Sequence, residues 1–502
     1  MNKVHLSKSR YCKVVQCEKI IWLNKYKQEC AEFEDNEAIF ATGRKVGELA
    51  KGLFGDYGDI PFDKNLSNMI EKTEVLLKDK PNIITEASFS YDNNFCSVDI
   101  LKNDSDGVEI YEVKSSTNLK KHPIYLDDVA YQYFVLSSLG LNVKKACIVL
   151  INNKYKREKE LDINQLFCFE DVTDIAIQKQ DEIRNNIDMI NSYMEIHGKD
   201  DEPQRDIGMH CCSPYSCDFW QYCSRDLPKP NVFDLVGGMW TSTKFKKYNN
   251  GIISFEDLQN DKLDQKYLEQ IDFELNNREP KIEKEPIKEL LSTLKYPLYF
   301  IDYESFNPAI PEYEGTKPYQ QIPFQYSLHI IQEEGATPEH KEFLAEIDDD
   351  NLIRHFAESM IEALPEDGSV IVYNESFEKS LVNKKLAEMF PDLKGELERI
   401  NGNVVDIKKP FSDRNYYVRE MAGSASLKSV LPALYPDDPE LDYGKLDLVH
   451  DGFEASNEFL GLRDKTPEEQ KPIREALLRY CELDTLAMVK IWERFNEVTT
   501  ED

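Results

Sequence analysis

Asp302 and Glu304 stand two residues apart in FIDYESF, so a strand there would turn both carboxylates to one face. Acids on a buried strand with no base beside them are costly unless they hold metal. VIVYNESFEKS follows, with Glu375 and Glu378 where a strand would run into a helix. RYCELDTLAM then spaces Tyr480 and Asp484 four apart, on one face of a helix. Such acids can hold two neighbouring metal ions, which activate water and stabilise the leaving oxygen of an in-line phosphoryl displacement. Asp406, in NVVDIKKPF, reads first as a helix N-cap and second as a further acid at the metal site, and Lys428, in GSASLKSVLP, offers a weak phosphate contact.

A second set lies earlier. Asp99 falls on one strand-like run, and Glu112 and Lys114 stand two apart on the next, sharing a face opposite Tyr111 and Val113. An acid beside a Glu-x-Lys can hold a divalent ion and place an ammonium against a scissile phosphate. Glu-x-Lys alone is usually a solvated strand edge; Asp99 and the strand–turn–strand frame give it weight. A third group is HCCSPYSCDFWQYC, with Cys211, Cys212, Cys217 and Cys223 within thirteen residues, and Cys12 and Cys17 near the N-terminus. In a reduced compartment such density points to metal ligation. Zinc would accept such thiolates, although the intervals Cys212-x4-Cys217-x5-Cys223 are not a familiar pair of zinc knuckles. The other cysteines read as small buried hydrophobes.

These groups need elements to hold them. Runs at 83–91, 95–101 and 108–115 read as strands, with turns at Asp92-Asn93-Asn94 and KNDSDG. Residues 126–141 space their apolar positions as a helix, and 145–151 reads as a buried strand. Beyond the punctuation of DLPKPN, strands are expected at 298–306, 324–331 and 341–345, a helix at 351–364, a strand at 369–373 and a long helix at 468–497. The expected domains are 1–228, a helical connector at 229–285, and 286–502, each larger part a mixed α/β layer.

The chain has 502 residues, 41% hydrophobic and 31% charged, enough for two cores and typical of a globular protein. No stretch reaches the roughly 18 uninterrupted apolar residues of a membrane span. MNKVHLSKSRYCKVVQC lacks an apolar core followed by a cleavage site, so a cytoplasmic address is expected. A formal charge of −32 argues against a protein that coats nucleic acid non-specifically. It leaves a nuclease open, because bound divalent ions reverse the local charge of carboxylate sites. Short basic runs, Lys154 with Lys156 and Arg157 and then Lys244 with Lys246 and Lys247, are candidate phosphate contacts or ordinary solvated charge.

The first half resembles the RecB-like PD-(D/E)xK nuclease superfamily. Asp99 and Glu112-Val113-Lys114 match its paired core motifs, and Gln132 resembles the glutamine on the helix that follows. That branch often continues Q-x-x-x-Y, whereas the fourth residue on is Leu136 here. TGRKVGELAKGLF resembles the helical first motif, in which histidine is common; none is present, and the resemblance leaves Glu48 as the substitute ligand. The cysteines resemble those of the iron–sulfur members, including AddB and the CRISPR-associated exonucleases, where one early and three late cysteines hold a 4Fe–4S cluster. This implies Cys17, Cys212, Cys217 and Cys223 as ligands, a staple joining the two ends of the domain, with Cys211 and His210 as nearby spares. Cys17 is preferred to Cys12 because QCEKIIWL resembles the family's cysteine-then-aromatic helix start.

The second half resembles the DEDDy exonucleases of the ribonuclease-H-like superfamily. Asp302-x-Glu304 matches the first motif, Asn374-x-x-Phe377-Glu378 the second and Tyr480-x-x-x-Asp484 the third. Glu378 replaces the usual aspartate, keeping the charge and adding a methylene. The resemblance implies that Asp302, Glu304, Glu378 and Asp484 bind magnesium or manganese and that Tyr480 orients the attacking water. The pairing of the two halves resembles a bacterial family of fusion proteins.

The expectation is therefore a restriction-endonuclease-like domain followed by a ribonuclease-H-like one, both cutting DNA in repair or in defence against foreign DNA. The competing readings are a nucleic-acid-binding scaffold with one active domain, and a ribonuclease. No G-x-x-x-x-G-K-[ST] occurs, so unwinding would fall to a partner helicase.

Overall fold

In the first half of the chain the apolar runs pair into one sheet. The computed structural model describes residues 3–33, 37–79, 81–365 and 367–500. Its strands there are β1 (Leu6–Ser7), β2 (Gly58–Asp59), β3 (Ile83–Tyr91), β4 (Asn94–Asp104), β5 (Gly107–Lys114), β6 (Val143–Ile151) and β7 (Phe167–Asp171). Asp92 and Asn93, at φ 48° and 66°, make the two-residue turn that joins β3 to β4, in the conformation that suits the twist of a hairpin. β4 and β5 are antiparallel, and β5 reaches its parallel neighbour β6 through the helix Ile124–Ser138. The sheet runs β2-β3-β4-β5-β6-β7, with β1 pairing to β4.

Alternation along β5 sends its side chains into two cores. Ile110 packs in the core that holds Val129, Ala130 and Val135 of the helix Ile124–Ser138. Tyr111 packs in the opposite core with Ile83, Val149 and Ala309. The expected strand and helix positions are found, with β4 extending three residues further than expected.

The chain divides into two compact units: Met1–Leu227 with Pro308–Tyr319, and Pro228–Asn307 with Gln320–Asp502. The structure thus differs from the expected boundaries in two ways. Residues 308–319, expected in the second domain, belong to the first unit. Arg157 fixes this segment through its backbone N–H to the Thr316 carbonyl (3.0 Å) and its guanidinium to the Pro311 carbonyl (2.8 Å). The expected connector at 229–285 is part of the second unit. Val232, Leu235, Phe255, Leu258, Tyr267 and Ile271 form a small core of its own. Gln270 Nε2 donates to the Ala422 carbonyl at 3.1 Å, and β8 (Lys281–Ile282) pairs with a later strand, Tyr416–Tyr417.

The second unit's main sheet contains β9 (Leu298–Phe306), β10 (Ile322–Ile331), β11 (Glu339–Leu344), β12 (Ser369–Val372) and β13 (Val404–Asp406), in the order β11-β10-β9-β12-β13. β10 is antiparallel to both of its neighbours, whereas β9, β12 and β13 run parallel. The strand of the small ribbon at Tyr416–Tyr417 is β14. The 34-residue helix Pro467–Thr500 packs Met488, Val489, Ile491 and Phe495 into the core with Phe300 and Ile371. No helix among the described residues is long and apolar enough to cross a membrane.

Candidate functional site

β9 is the central strand of its sheet, and its period places Asp302 and Glu304 on one face, opposite Ser327 and Gln325 of β10. The helix Pro467–Thr500 crosses near them: the Cys481 thiol donates to the Asp302 carbonyl, and Gln325 Nε2 donates to the Leu477 carbonyl at 2.7 Å. One carboxylate oxygen each from Asp302, Glu304 and Asp484 lie within 4.8 Å of one another. Glu378, on the π-helical stretch Ser376–Asn383, stands outside that trio but near enough to raise the carboxyls of both Asp302 and Glu304.

Burial drives all four acids toward the protonated form. Asp302 and Glu304 are pushed well above the ordinary carboxylate range, with the charge of Asp484 the next cause for each. Burial raises Glu378 to about 8 and Asp484 to about 6. Glu378 Oε2 is buried without a hydrogen-bond partner. An acid cluster held this tightly is unstable as a set of bare anions, and its hard oxygens fit divalent cations. Asp302, Glu304 and Asp484 together could hold a metal ion.

Two hydroxyls and one ammonium attend it. Tyr443 donates a short hydrogen bond to Asp484 Oδ1, and Tyr480, the expected water-orienting residue, also helps to hold Asp484 down. Lys428 lowers Glu304 and Asp484, and its Nζ donates to the His450 carbonyl at 2.6 Å. A Cβ at Gly452 would meet Glu304 Oε2 at 3.2 Å, so a larger residue there would crowd the carboxylate. Sequence reasoning missed Tyr443 and Gly452. Asp406 is not the expected helix N-cap, which is Lys408; its Oδ1 accepts from Lys408 N (2.9 Å) and its Oδ2 from Glu375 N (3.3 Å).

In the first unit, Asp99, Glu112, Lys114 and Glu48 line a cleft of about 450 Å³ with Glu86 and Lys51. Asp99 Oδ2 accepts from the Val113 amide at 2.7 Å. Burial, then the charge of Glu112, raises Asp99 to about 7. Glu112 is matched more fully. Its Oε1 accepts from Lys8 (2.6 Å) and Lys114 (2.7 Å), and its Oε2 accepts from Gln132 Nε2 (2.7 Å). Burial would raise Glu112, but the two ammonium groups overcome it and hold the carboxyl low. Lys114 also donates a short hydrogen bond to Asp128. Glu48 is largely exposed and pairs with Lys51 at 2.7 Å, so its carboxylate rims the cleft.

Lys8, Glu86 and Asp128 were missed. Glu86 had a signal: the register across the Asp92–Asn93 turn pairs Thr85 with Ile100 and Ala87 with Val98, which sets Glu86 opposite Asp99. It takes φ 56° in mid-strand, a conformation that costs a residue with a Cβ and marks sites under local constraint. Burial raises its carboxyl too.

Residues 299–426 match a family described as a domain of unknown function, DUF2779. The match takes in Asp302, Glu304 and Glu378 and ends before Tyr480 and Asp484. No curated protein and no solved structure matches the chain.

The cysteines do not form a group close enough to hold a metal among the described residues. Burial raises the Cys211 thiol to about 12, and neighbouring Cys217, Cys17 and Cys223 add to the rise. Cys212, expected as a ligand, is exposed, and burial alone shifts its thiol. The inward member of the adjacent pair is Cys211, whose carbonyl accepts from Cys217 N at 2.9 Å. Spacing alone could not separate two adjacent cysteines. Among the described residues no three of these sulfurs come within 4.8 Å of one another. The basic runs carry structural bonds: Lys244 donates to the Phe233 and Leu235 carbonyls (2.9 and 2.7 Å), and Lys247 pairs with Asp261.

Proposed function

We propose that the protein is a metal-dependent DNA nuclease with two separate carboxylate centres, one in each unit. The observation that carries the reading is the second unit's trio of half-buried Asp302 with buried Glu304 and Asp484, and buried Glu378 beside it with one oxygen unpartnered. The strand order β11-β10-β9-β12-β13, with β10 alone reversed, supports a ribonuclease-H-like exonuclease of the DEDDy type. The first unit's antiparallel β3-β4-β5, helix crossover and parallel β6 support a PD-(D/E)xK nuclease.

Divalent ions bound by the four acids would activate water and offset charge on the phosphate. The chain's own groups supply the rest. Tyr480 orients the attacking water, Tyr443 fixes the rotamer of Asp484, and Lys428 supplies positive potential near Glu304. In the first unit Lys114 places its ammonium toward the scissile phosphate while Gln132 and Lys8 hold Glu112. Because both centres offer oxygen ligands, magnesium or manganese is expected to support cleavage of end-labelled DNA and calcium to support it poorly. Full activity in chelator would refute the reading at both sites.

Cys17, Cys217 and Cys223 each act on the Cys211 thiol, and we infer from this, although no three sulfurs come within 4.8 Å of one another among the described residues, that these four would hold a structural 4Fe–4S cluster within the first unit. Protein purified without oxygen is then expected to be brown. Cys211→Ser should lose the colour and most of the iron and sulfide, and Cys212→Ser should keep them. The opposite pattern would return Cys212 to the ligand set.

A further inference from the structure

A second group of side chains able to hold a metal gathers where the same sheet meets the long helix, and it shares no residue with the acid trio. β10 carries His329, and the antiparallel register pairs it with His340 of the edge strand β11. The two rings stand 4.7 Å apart, centroid to centroid. The helix Pro467–Thr500 brings Glu482 to the same place, so that one nitrogen of each ring and one oxygen of Glu482 lie within 4.8 Å of one another. Two consecutive strands and a helix far along the chain thus bring two imidazoles and a carboxylate together.

The surroundings resemble the outer shell of a ligated histidine. His329 Nδ1 shares a hydrogen bond with the Thr485 hydroxyl at 2.8 Å, and His340 Nε2 shares one with the Ser327 hydroxyl at 2.9 Å. The two hydroxyls lie 2.7 Å apart, and Thr485 also donates to the Glu482 carbonyl at 3.0 Å. Each ring is therefore oriented through one nitrogen, and the other carries no hydrogen bond among the described residues. Ligating histidines are held in this way, one nitrogen on the metal and the other fixed by a neighbour. On Glu482, Oε2 accepts from Arg479 at 2.9 Å, which anchors that carboxylate as well.

We propose that His329, His340 and Glu482 bind a divalent transition ion of the zinc class, separate from the hard-cation centre at Asp302, Glu304 and Asp484. Two imidazoles and one carboxylate match the donor preference of zinc and its neighbours, whereas magnesium and calcium prefer all-oxygen shells. The ion would tie the edge strand β11 and β10 to the long helix two residues before Asp484. Its role is to clamp that helix in register on the sheet.

The test uses the full chain, stripped with chelator and dialysed against Zn²⁺ in excess Mg²⁺, with bound zinc measured by elemental analysis. His340→Ala and Glu482→Gln are each expected to bind one Zn²⁺ fewer per chain than wild type, or to bind that ion at least about tenfold more weakly. Asp302→Asn should retain it. Co²⁺ in place of Zn²⁺ should give d–d bands of a nitrogen–oxygen site that vanish in both variants. His340 is exposed at the sheet edge and Glu482 is half-buried, so at least one variant tests the site in a folded protein. Wild-type zinc content and affinity in both variants, or no binding by wild type in excess Mg²⁺, would overturn the proposal.

Discussion

Asp302→Ala is expected to abolish stepwise 3′-to-5′ shortening of single-stranded DNA, by at least about a hundredfold, while leaving a second metal-dependent activity in place. The carboxylate it removes sits in the trio with Glu304 and Asp484, so its loss undoes the geometry rather than trimming it. Lys114→Ala is expected to do the reverse. It removes an ammonium from the first cleft but leaves Glu112 bonded to Lys8 and Gln132, so the strand that carries it should persist. Tyr480→Phe should weaken the same activity as Asp302→Ala but leave more of it, because Tyr443 still holds Asp484. Separate assays on end-labelled single- and double-stranded DNA and RNA check all three variants. If Asp302→Ala changes no activity, the second unit is a binding module and the two-nuclease reading is wrong.

The second large effect concerns stability. In chelator, the second unit is expected to lose thermal stability as the pH rises from about 5 to 8. Buried carboxyls there have folded pKa values above those of the open chain: Asp484 about 6 against 3.8, and Glu378 about 8 against 4.5. The folded state therefore binds more protons than the unfolded state between those values. The contribution to stability is complete below the unfolded pKa and is lost as the pH climbs through the folded one. A fall in melting midpoint on the order of 5 °C is expected across this window, with magnesium or manganese restoring much of it. Asp302→Asn removes one charge from the crowded set, so at pH 8 it should melt higher than wild type in chelator, although inactive. Calorimetry from pH 5 to 8, with and without metal, decides this. A flat midpoint in chelator, or an Asp302→Asn variant less stable than wild type at pH 8, would show that the acids are not electrostatically frustrated.

Asp302, Glu304 and Asp484 were legible because each sits on a regular element. Asp302 and Glu304 follow the strand period, and Tyr480 and Asp484 follow the helical one. Tyr443 was not, because it lies in the short turn Tyr443–Lys445 and reaches Asp484 only through the tertiary fold. Asp99, Glu112 and Lys114 were legible for the same reason of period. Lys8 and Asp128 come from two helices whose approach to β5 no local pattern encodes. The same holds for His329 and Glu482, brought together across more than a hundred and fifty residues. Local periodicity reveals which side chains share a face, and the register of distant strands reveals which faces meet.

The excursion of residues 308–319 into the first unit has a consequence for how the chain is made. Ala309 is buried in the core with Ile83, Tyr111 and Tyr155, and the Tyr319 hydroxyl donates to the Ser115 carbonyl. During synthesis the first 227 residues emerge without this piece, and the ribosome must add β9, the opening central strand of the other sheet, before supplying it. One core thus stays incomplete until the other has begun, so the two folding events are interleaved rather than sequential. A single cut in the chain therefore leaves one product missing part of its interior and the other carrying a strip of apolar surface with nothing to cover it.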